Sequence, residues 1–528
     1  MLSSTMDKKL ISIFDFDGTL TMNGMPKYSF LDKFGYKNGM QDERFLKEAL
    51  EHHLKSGKDY VRDFLEYALK IANDNNLQLT LPILCEGQET IGWNIGVDTF
   101  FDTLARTAKN RKTSNKNYVI TSGVEEYVNN LPIAEHFSMV YGSCLEMDER
   151  QNILGIEKSM TDELKVKYIK NILMQNGKPV DDCSDVVYVG DGLTDEAPMQ
   201  YVHKHGGKII YISYKTANSL QGYKDLNKDV QIVDYNCSAD FSPTGDVVKA
   251  FTEIMNHKEY ARHFTTIDKH GVWPDDTSPD AIISQAKQAV ANIIATENYT
   301  KLKKLYRLAG QSGSGKSTQL LPTVLNYEES RGNTPITIAV RTFAKYHPRY
   351  DDLAKTIPAG AIREATNGFG LKCLCAAYAM LLEMGYLTIV DLTIMEPCFE
   401  EFMLSQAQIN NYQAEYHVLA VNKNLSNSFI EKRKNDPSHP EYGKIVNTSS
   451  IDFWYNALPR GIKFLAENDA TNICFVWSAH KEEPLHYGII SERTTTALDT
   501  GRAELGEQKI DEQTLRQGKL EFLIKSAR

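Results

Sequence analysis

The stretch Leu10–Thr21, LISIFDFDGTLT, decides the fold of the first part of the chain. An apolar run there ends in two aspartates, Asp15 and Asp17, and Gly-Thr follows. This pattern predicts a buried strand with a functional site at its carboxyl end, although such a pair can also simply cap a turn. Carboxylates this close disfavour joint ionisation in a low dielectric, and a cation such as Mg²⁺ removes that cost.

Similar short runs recur along the chain, and helical stretches separate them. The predicted strands are ISIFDFD, NYVITSG, DVVYVGDG, KIIYISY and DVQIVDY, then KLYRLAG, YLTIVDL, YHVLAV and NICFVWS. Strand–helix alternation predicts an α/β fold with two domains, each built on a doubly wound parallel sheet. We expect these domains at residues 1–258 and 301–528, joined at 259–300 by a linker and a connecting helix.

The composition of the 528 residues, 42% hydrophobic and 24% charged, is that of an ordinary globular protein. A formal charge of −10 disfavours binding to nucleic acid or to an anionic membrane, because such partners favour a basic face. We find neither a signal peptide nor an unbroken apolar run of about 18 residues. Eight scattered cysteines indicate reduced thiols. We therefore predict a cytoplasmic protein without a membrane partner.

Three further motifs follow the aspartate pair. They carry Thr121 in YVITSG, Lys165 in DELKVKYI, and Asp191 and Asp195 in VVYVGDGLTDEA. We expect all of them at or beside the carboxyl ends of parallel strands, where α/β folds place their sites. Ser122 is an alternative to Thr121, and Lys158 or Lys167 is an alternative to Lys165.

The order acid pair, hydroxyl, lysine, acid pair resembles the haloacid dehalogenase superfamily, specifically its phosphoserine-phosphatase-like branch, over about residues 8–240. The resemblance implies a Rossmann-like core that hydrolyses a phosphomonoester. It implies that Asp15 attacks phosphorus to form an aspartyl-phosphate, and that Asp17 is the general acid and base. Thr121 and Lys165 would hold the phosphoryl oxygens. The implied Mg²⁺ ligands are Asp15, the backbone carbonyl of Asp17 and Asp191, with Asp195 in support.

The 103 residues between Asp17 and Thr121 have mostly helical patterns. In the resembled superfamily an insert at this point is a helical cap, here at about residues 22–115. Because a cap excludes water and limits substrate size, it favours a small phosphorylated molecule over a polymer end.

The second half contains GQSGSGKS, Gly310–Ser317, between a strand-like LYRLA and a helical TQLLPTVL. It fits the phosphate-binding loop GxxxxGK[ST], in which backbone N–H groups surround phosphates. Lys316 would reach the β- and γ-phosphates, and Ser317 would hold Mg²⁺. The predicted ATP-binding residues are Gly310, Gly313, Ser314, Gly315, Lys316, Ser317 and Thr318.

Segments of the zeta-toxin family of P-loop kinases are similar to three later stretches, TFAKYHPRYDDL, YLTIVDLT and AVNKNLSNSFIEKR. The resemblance covers about residues 302–450. It implies transfer of phosphate from ATP to a small metabolite of the nucleotide or nucleotide-sugar type. It also implies that Asp391 is the acid of a central strand and that Arg433 binds phosphate.

The sequence departs from this family at the expected catalytic base, where Arg341 stands instead of an aspartate. Ala339 stands where the family has another. An arginine stays protonated and cannot act as a base. Asp391 or another acid is then the candidate base, with His347 as a weaker one that also fits a structural role.

The basic residues further along leave two interpretations open. Lys432 and Lys434, beside Arg433, could form a lid over phosphates or a solvated charge cluster. Lys444 is the cation nearest to the position of the family's second arginine.

We therefore predict a bifunctional phosphatase and kinase of small metabolites that uses Mg²⁺ and ATP. One alternative is nucleic-acid end processing, as in polynucleotide kinase-phosphatases, which the cap and the acidic charge disfavour. The other is a phosphatase regulated by an ATP-binding domain that transfers no phosphate.

Overall fold

The computed structural model describes most of the chain. The described residues are 8–22, 47–54, 60–86, 88, 91–192, 194–214, 217–228, 230–270, 275–311, 313–357, 359–393, 396–435, 448–468, 471–504 and 512–527. The chain divides into two compact units, Met1–Met255 and Asn256–Arg528, and the division falls inside the helix Asp246–His270. Each unit has its own sheet flanked by helices, which confirms the predicted α/β class.

The sheet of the first unit has seven strands: β1 (Lys8–Phe14), β2 (Thr113–Val124), β3 (Met139–Met147), β4 (Ile153–Lys158), β5 (Val186–Gly190), β6 (Lys208–Ser213) and β7 (Tyr235–Ser238). Their order is β4-β3-β2-β1-β5-β6-β7, and only β4 pairs in an antiparallel sense. The order steps outward from β1 on both sides, so ligands are expected at the carboxyl ends of the central strands. The helices are Tyr60–Asp74, Leu81–Cys85, Val97–Asn110, Glu125–Asn129, Asp162–Gln175, Glu196–Lys204 and Ala217–Leu226, with a 3₁₀ turn at Pro132–His136.

Strand β1 is buried on both faces. Leu10 and Phe14 pack into one core cluster, and Ile11 and Ile13 pack into a second cluster on the other face. A strand covered on both faces needs an almost continuous apolar sequence, which is what the predicted run supplies.

The strand expected at residues 229–235 lies instead at Tyr235–Ser238. The preceding amides are engaged elsewhere, because Asn227 Oδ1 accepts hydrogen bonds from the N–H groups of Ile232 and Val233 at 2.9 and 3.0 Å. A side chain therefore replaces the ladder that would have extended the strand.

The insertion after Asp17 does not fold as a single block. Its last helix, Val97–Asn110, packs on the core, since the rings of Phe100 and Phe101 lie 5.8 and 5.3 Å from that of Phe14. A cap would therefore be built from the residues before this helix. Much of that part, including residues 23–46, lies outside the described residues.

The expected junction between the domains is mainly helical where it is described. Residues 259–270 continue the helix Asp246–His270, and the connecting helix lies at Pro279–Ile294. Residues 271–274 lie outside the described residues, and the predicted domain boundaries stay predictions.

The sheet of the second unit has six strands: β8 (Lys304–Ala309), β9 (Ile336–Ala339), β10 (Thr388–Asp391), β11 (Gln413–Ala420), β12 (Ile473–Ser478) and β13 (Pro484–Ile489). Their order is β13-β12-β11-β8-β10-β9, and β13 alone is antiparallel. The helices that follow the connecting helix are Leu321–Glu329, Val340–Ala344, Tyr350–Thr356, Ala359–Glu383, Pro397–Ile409, Lys423–Asn435, Thr448–Asn468, Glu492–Ala503 and Glu512–Ser526, with a π-helical turn at Lys316–Leu320.

One described stretch, Glu364–Glu383, is long and apolar enough to span a membrane by length and composition. Its apolar window is 89% buried inside the protein, as expected for the central helix of a core. Cys373, Leu374 and Ala377 of this helix belong to the main core cluster of the second unit.

A buried ion pair joins β8 to the helix Pro397–Ile409. Arg307 donates a hydrogen bond to Glu400 Oε1 at 3.2 Å, and its second amino nitrogen lies 3.2 Å from Glu400 Oε2. Both side chains are at most 1% exposed. Burial opposes the charge of Arg307, but the attraction of Glu400 outweighs it and raises the pKa of the guanidinium.

We expect Glu400→Gln to lower the free energy of unfolding of the second unit by about 3–5 kcal/mol, because it keeps the volume but leaves the Arg307 charge uncompensated. Urea unfolding followed by circular dichroism measures this. The matched control, Glu401→Gln on the exposed side of the same helix, should stay within about 0.5 kcal/mol of the wild type. Equal effects of the two substitutions would contradict the role given to the pair.

Candidate functional site

The predicted motifs of the first unit meet at one edge of its sheet. Asp15 follows β1, Thr121 lies in β2, and Asp191 follows β5. Both β2 and β5 pair with β1 in parallel, so these three positions lie at the carboxyl ends of adjacent strands. The Asp15 N–H donates to the carbonyl of Val189 at 2.9 Å and fixes the end of β1 against β5.

The Lys165 ammonium lies between two carboxylates. Its Nζ donates hydrogen bonds to Asp15 Oδ1 at 3.1 Å and to Asp195 Oδ1 at 2.8 Å, and a third to Thr194 Oγ1 at 3.2 Å. The three charged side chains are at most 3% exposed. Burial lowers the pKa of Lys165, but the two carboxylates outweigh this and the pKa is raised overall. The lysine is therefore held in its charged form.

The two alternative lysines lie outside this arrangement. Lys158 Nζ donates to the Tyr168 hydroxyl at 3.1 Å and lies 3.4 Å from Glu125 Oε2. Lys167 is exposed on the helix that carries Lys165.

The surroundings of the Asp15 carboxyl disfavour its ionised form. Burial raises its pKa well above the usual range, and repulsion from Asp195 raises it further. Lys165 opposes this shift, whereas Asp191 and Asp17 add to it. The group is therefore built to gain from a bound cation.

Asp17 and Thr121 face the same glycine. A Cβ atom added at Gly123 would lie 2.7 Å from Asp17 Oδ2 and 3.3 Å from Thr121 Oγ1. The Gly123 N–H also donates to Thr121 Oγ1 at 3.0 Å. Ser122 Oγ is buried without a hydrogen-bond partner, and its carbonyl accepts from Ser143 Oγ at 2.9 Å. Thr121 is thus the hydroxyl residue placed beside Asp17.

Three carboxylates of this site fit a divalent cation. Asp15, Asp191 and Asp195 each offer one oxygen, and these oxygens lie within 4.8 Å of one another. Asp195 Oδ1 accepts from Lys165 and, at 2.6 Å, from the Tyr188 hydroxyl, whereas its buried Oδ2 has no hydrogen-bond partner. An orphaned buried carboxylate oxygen beside two other carboxylates is a suitable Mg²⁺ ligand. The Asp17 side chain is not a member of this group.

Four residues at the site were not singled out from the sequence: Thr194, Tyr188, Asn94 and Tyr214. Thr194 stands inside the GDGLTD motif, next to Asp195, and its position was the available signal. The other three donate hydrogen bonds to motif residues. Tyr188 lies inside the apolar strand β5, and Asn94 and Tyr214 lie outside the named helices and strands, so no motif marked them.

We expect Asp15→Asn to raise the free energy of unfolding of the metal-free protein by about 1 kcal/mol near pH 8. The folded-state pKa of Asp15 is raised, so the folded protein loses stability as pH rises from the unfolded-state pKa toward the folded one. Asparagine cannot ionise and escapes this loss.

The gain should shrink near pH 5, and added Mg²⁺ should stabilise the wild type more than the variant. Urea unfolding in chelator and in Mg²⁺ measures both effects, with Asp102→Asn on an exposed helix surface as the control. A variant less stable than the wild type at both pH values would contradict the raised pKa assigned to Asp15.

The phosphate-binding loop of the second unit follows β8 and leads into the π-helical turn Lys316–Leu320. Gly313 and Gly315 have φ angles of 77° and 98°, which side chains rarely adopt. Lys316 Nζ donates to the Gly310 carbonyl at 2.6 Å, and the buried Ser314 Oγ has no hydrogen-bond partner. The loop thus curls around its own lysine, with donors available for phosphate.

The residues after the lysine connect the loop to β10. Ser317 Oγ donates to Asp391 Oδ2 at 2.9 Å, and Thr318 Oγ1 donates to the Gly315 carbonyl at 3.3 Å. An Arg341 nitrogen lies 3.9 Å from the same Asp391 oxygen, and this arginine side chain is 48% exposed. A hydroxyl and a carboxylate in this position are the hard oxygen donors that suit Mg²⁺ beside a nucleotide.

His347, the weaker candidate base, does not join this site. His347 is buried, its Nε2 lies 3.5 Å from Asp275 Oδ2, and its Nδ1 accepts from the Arg349 N–H at 3.1 Å. Both ring nitrogens are therefore used within the fold, which supports the structural role. Arg433 lies in the helix Lys423–Asn435. The positions with side chains outside the described part are Arg433, Lys434 and Lys444, whereas Lys432 is exposed.

Comparison with known proteins finds a family match within the second half of the chain. Residues 289–486 match the family model described as Zeta toxin. The resemblance predicted for the P-loop domain is confirmed over these residues. No curated protein matches the chain.

Solved structures of a toxin-antitoxin system and of phosphoserine phosphatases are similar to parts of the chain. One describes the PezAT chromosomal toxin-antitoxin system of Streptococcus pneumoniae, at 17% identity and a TM-score of 0.36, covering 47% of this chain and 99% of that one. A phospho-aspartyl intermediate analogue of phosphoserine phosphatase has 19% identity and a TM-score of 0.33, with the same two coverages. A substrate-bound phosphoserine phosphatase has 18% identity, a TM-score of 0.30, and coverages of 42% and 99%. The phosphatase structures are similar to the N-terminal half of the chain.

Proposed function

We propose that the first unit hydrolyses a small phosphomonoester through a covalent intermediate on Asp15. The observation that carries this proposal is the buried group in which Lys165 bonds both Asp15 and Asp195. A nucleophilic carboxylate beside a fixed cation, at the carboxyl edge of a doubly wound sheet, suits attack on an anionic phosphoryl group.

In the first step an Asp15 oxygen forms a bond to phosphorus as the bond from phosphorus to the leaving oxygen breaks. The Asp17 carboxyl gives its proton to the leaving oxygen, which departs as an alcohol. Lys165 and Thr121 hold the phosphoryl oxygens. In the second step Asp17 takes a proton from water, the water oxygen bonds to phosphorus, and the Asp15 carboxylate is released.

Mg²⁺, when bound, would offset the negative charge shared by the carboxylates and the phosphoryl oxygens. Asp15 and Asp191 would hold it together with the Asp17 carbonyl, and Asp195 would support it through its orphaned oxygen. The predicted cap and the net charge of −10 for the whole chain favour a small substrate over a nucleic-acid end.

We expect Asp15→Asn to lower kcat for phosphomonoester hydrolysis by at least about 10³-fold, because the nucleophile is lost. Lys165→Met should lose activity on a similar scale, whereas Lys158→Met should retain it, because Lys158 bonds Glu125 and Tyr168 instead. Release of inorganic phosphate measures all three. Turnover like that of the wild type in Asp15→Asn would refute the assignment.

We propose that the second unit binds ATP and transfers its γ-phosphate to a small acceptor of the nucleotide or nucleotide-sugar type. The support is the zeta-toxin match together with the contact between Ser317 and Asp391 beside Lys316. Lys316 would bind the β- and γ-phosphates, and Ser317 would hold Mg²⁺. Asp391 is the carboxylate proposed to take the proton of the acceptor hydroxyl, and Arg433 is proposed to contact phosphate.

Arg341 favours a second candidate function. Arg341 stands at the position where the resemblance places the catalytic base, and its guanidinium lies 3.9 Å from Asp391, so Asp391 has a competing cation. In this alternative the domain binds ATP without transferring phosphate, and binding regulates the phosphatase.

We expect Lys316→Ala to weaken ATP binding by about 10- to 100-fold, because it removes a charge-assisted contact to phosphate. Lys303→Ala is the control, since Lys303 precedes β8 at the end opposite to the loop. Isothermal titration calorimetry measures the affinity, and unchanged affinity in Lys316→Ala would count against the site.

Labelled ATP separates the two candidate functions when it is offered with nucleosides, nucleotides and nucleotide sugars in an Asp15→Asn background. A labelled acceptor supports the kinase. ATP binding that produces no labelled product but changes wild-type phosphatase turnover supports regulation.

A further inference from the structure

The loop that carries Asp17 is held by its backbone carbonyls. It turns tightly after Phe16, with the Leu20 N–H donating to the Phe16 carbonyl at 2.9 Å and Gly18 at a φ of 77°. The carbonyls of Gly18 and Thr19 do not enter this turn and accept hydrogen bonds from elsewhere. Whatever donates to them sets the orientation of the peptides on either side of Gly18.

Two side chains supply those hydrogen bonds, and they also contact each other. The Tyr214 hydroxyl donates to the Gly18 carbonyl at 2.8 Å. Asn94 Nδ2 donates to the Thr19 carbonyl at 2.8 Å and to the Tyr214 hydroxyl at 2.8 Å. A longer contact of 3.3 Å joins Asn94 to the carbonyl of Thr21. Asn94 is only 4% exposed, so these bonds form away from water, where each is strong.

Asn94 also lies in the segment through which the chain returns from the insertion to the sheet of the first unit. The Met22 N–H donates to the Gly92 carbonyl at 2.7 Å, and the Asn94 N–H donates to the Leu20 carbonyl at 3.0 Å. The outgoing and returning segments are thus joined beside the loop. Any shift of the returning segment is passed to the loop through Asn94.

We infer that Asn94 and Tyr214 are positioning residues for Asp17, because they fix the loop whose carboxylate faces Thr121 across Gly123. The inference rests on the proposed phosphatase. General acid catalysis needs the Asp17 proton aimed at the leaving oxygen, so a loosened loop impairs proton donation before it impairs attack by Asp15. Neither residue touches the reacting atoms.

The test uses the dependence on the leaving group. Tyr214→Phe removes one hydroxyl and keeps the ring, and Asn94→Asp keeps the shape and removes the N–H donors. With an alkyl phosphomonoester, which needs a proton on its leaving oxygen, kcat/KM should fall by about 10-fold or more, since this ratio reports the steps up to departure of the leaving group and not the later hydrolysis of the intermediate. With p-nitrophenyl phosphate, which leaves readily as the anion, the fall should be smaller than about threefold.

The matched control is Tyr201→Phe, which removes another tyrosine hydroxyl that donates to a backbone carbonyl, that of Val180, on the outer surface of the unit. Tyr201→Phe should hydrolyse both substrates as fast as the wild type does. Equal losses with the two substrates in Tyr214→Phe and Asn94→Asp would show a structural effect only and overturn the inference. One variant that folds like the wild type by circular dichroism is enough for the test. Failure of both variants to fold would also overturn the inference.

The outcomes separate this inference from the proposed function. A wild-type protein that hydrolyses neither substrate refutes the phosphatase and the inference together. An active wild type with Tyr214→Phe and Asn94→Asp indistinguishable from Tyr201→Phe refutes the positioning role alone.

Discussion

The contact of Lys165 with Asp15 and Asp195 is the constraint on which the first unit depends. The single buried ammonium of Lys165 is shared by two buried carboxylates, so the three groups together have an excess of negative charge that a metal ion would offset. Three elements of the first unit meet at this group. The parallel strands β1 and β5 end at the group, and the helix Asp162–Gln175 carries the lysine into it. Burial makes the imbalance costly, and the same burial makes the site bind cations and phosphoryl groups well.

In the second unit, strand β8 carries a stabilising ion pair in its interior and leads into the phosphate-binding loop at its end. In the interior of β8, Arg307 forms a buried pair of opposite charges with Glu400. At the end of the same strand the phosphate-binding loop begins, and there the Lys316 ammonium donates to the backbone carbonyls of Gly310 and Gln311, contacts that a phosphate can replace. The buried ion pair thus stabilises the core, whereas the lysine at the edge of the sheet can bind phosphate.

Much of this arrangement could be predicted from the sequence, because it lies in compact motifs. Asp15 and the GDGLTD stretch combine strand pattern and acid spacing within a few residues, so their place at one sheet edge follows from parallel pairing. The antiparallel strands β4 and β13 were not predicted, since their short runs have no distinctive pattern. The displaced strand β7 depends on the side chain of Asn227, and Tyr188 reaches Asp195 from inside an apolar strand. Such contacts depend on tertiary packing, which a single sequence does not encode locally.

The central claim is that the Asp15 carboxylate accepts the phosphoryl group, and trapping the intermediate tests it most directly. The wild-type protein would be mixed with a phosphomonoester and Mg²⁺, quenched in acid during turnover, and digested for peptide mass spectrometry. We expect a phosphate on the peptide that contains LISIFDFDGTLT, located at Asp15 and removed by hydroxylamine as an acyl phosphate is. Turnover with no phosphate on Asp15, or with phosphate on another residue, would contradict it.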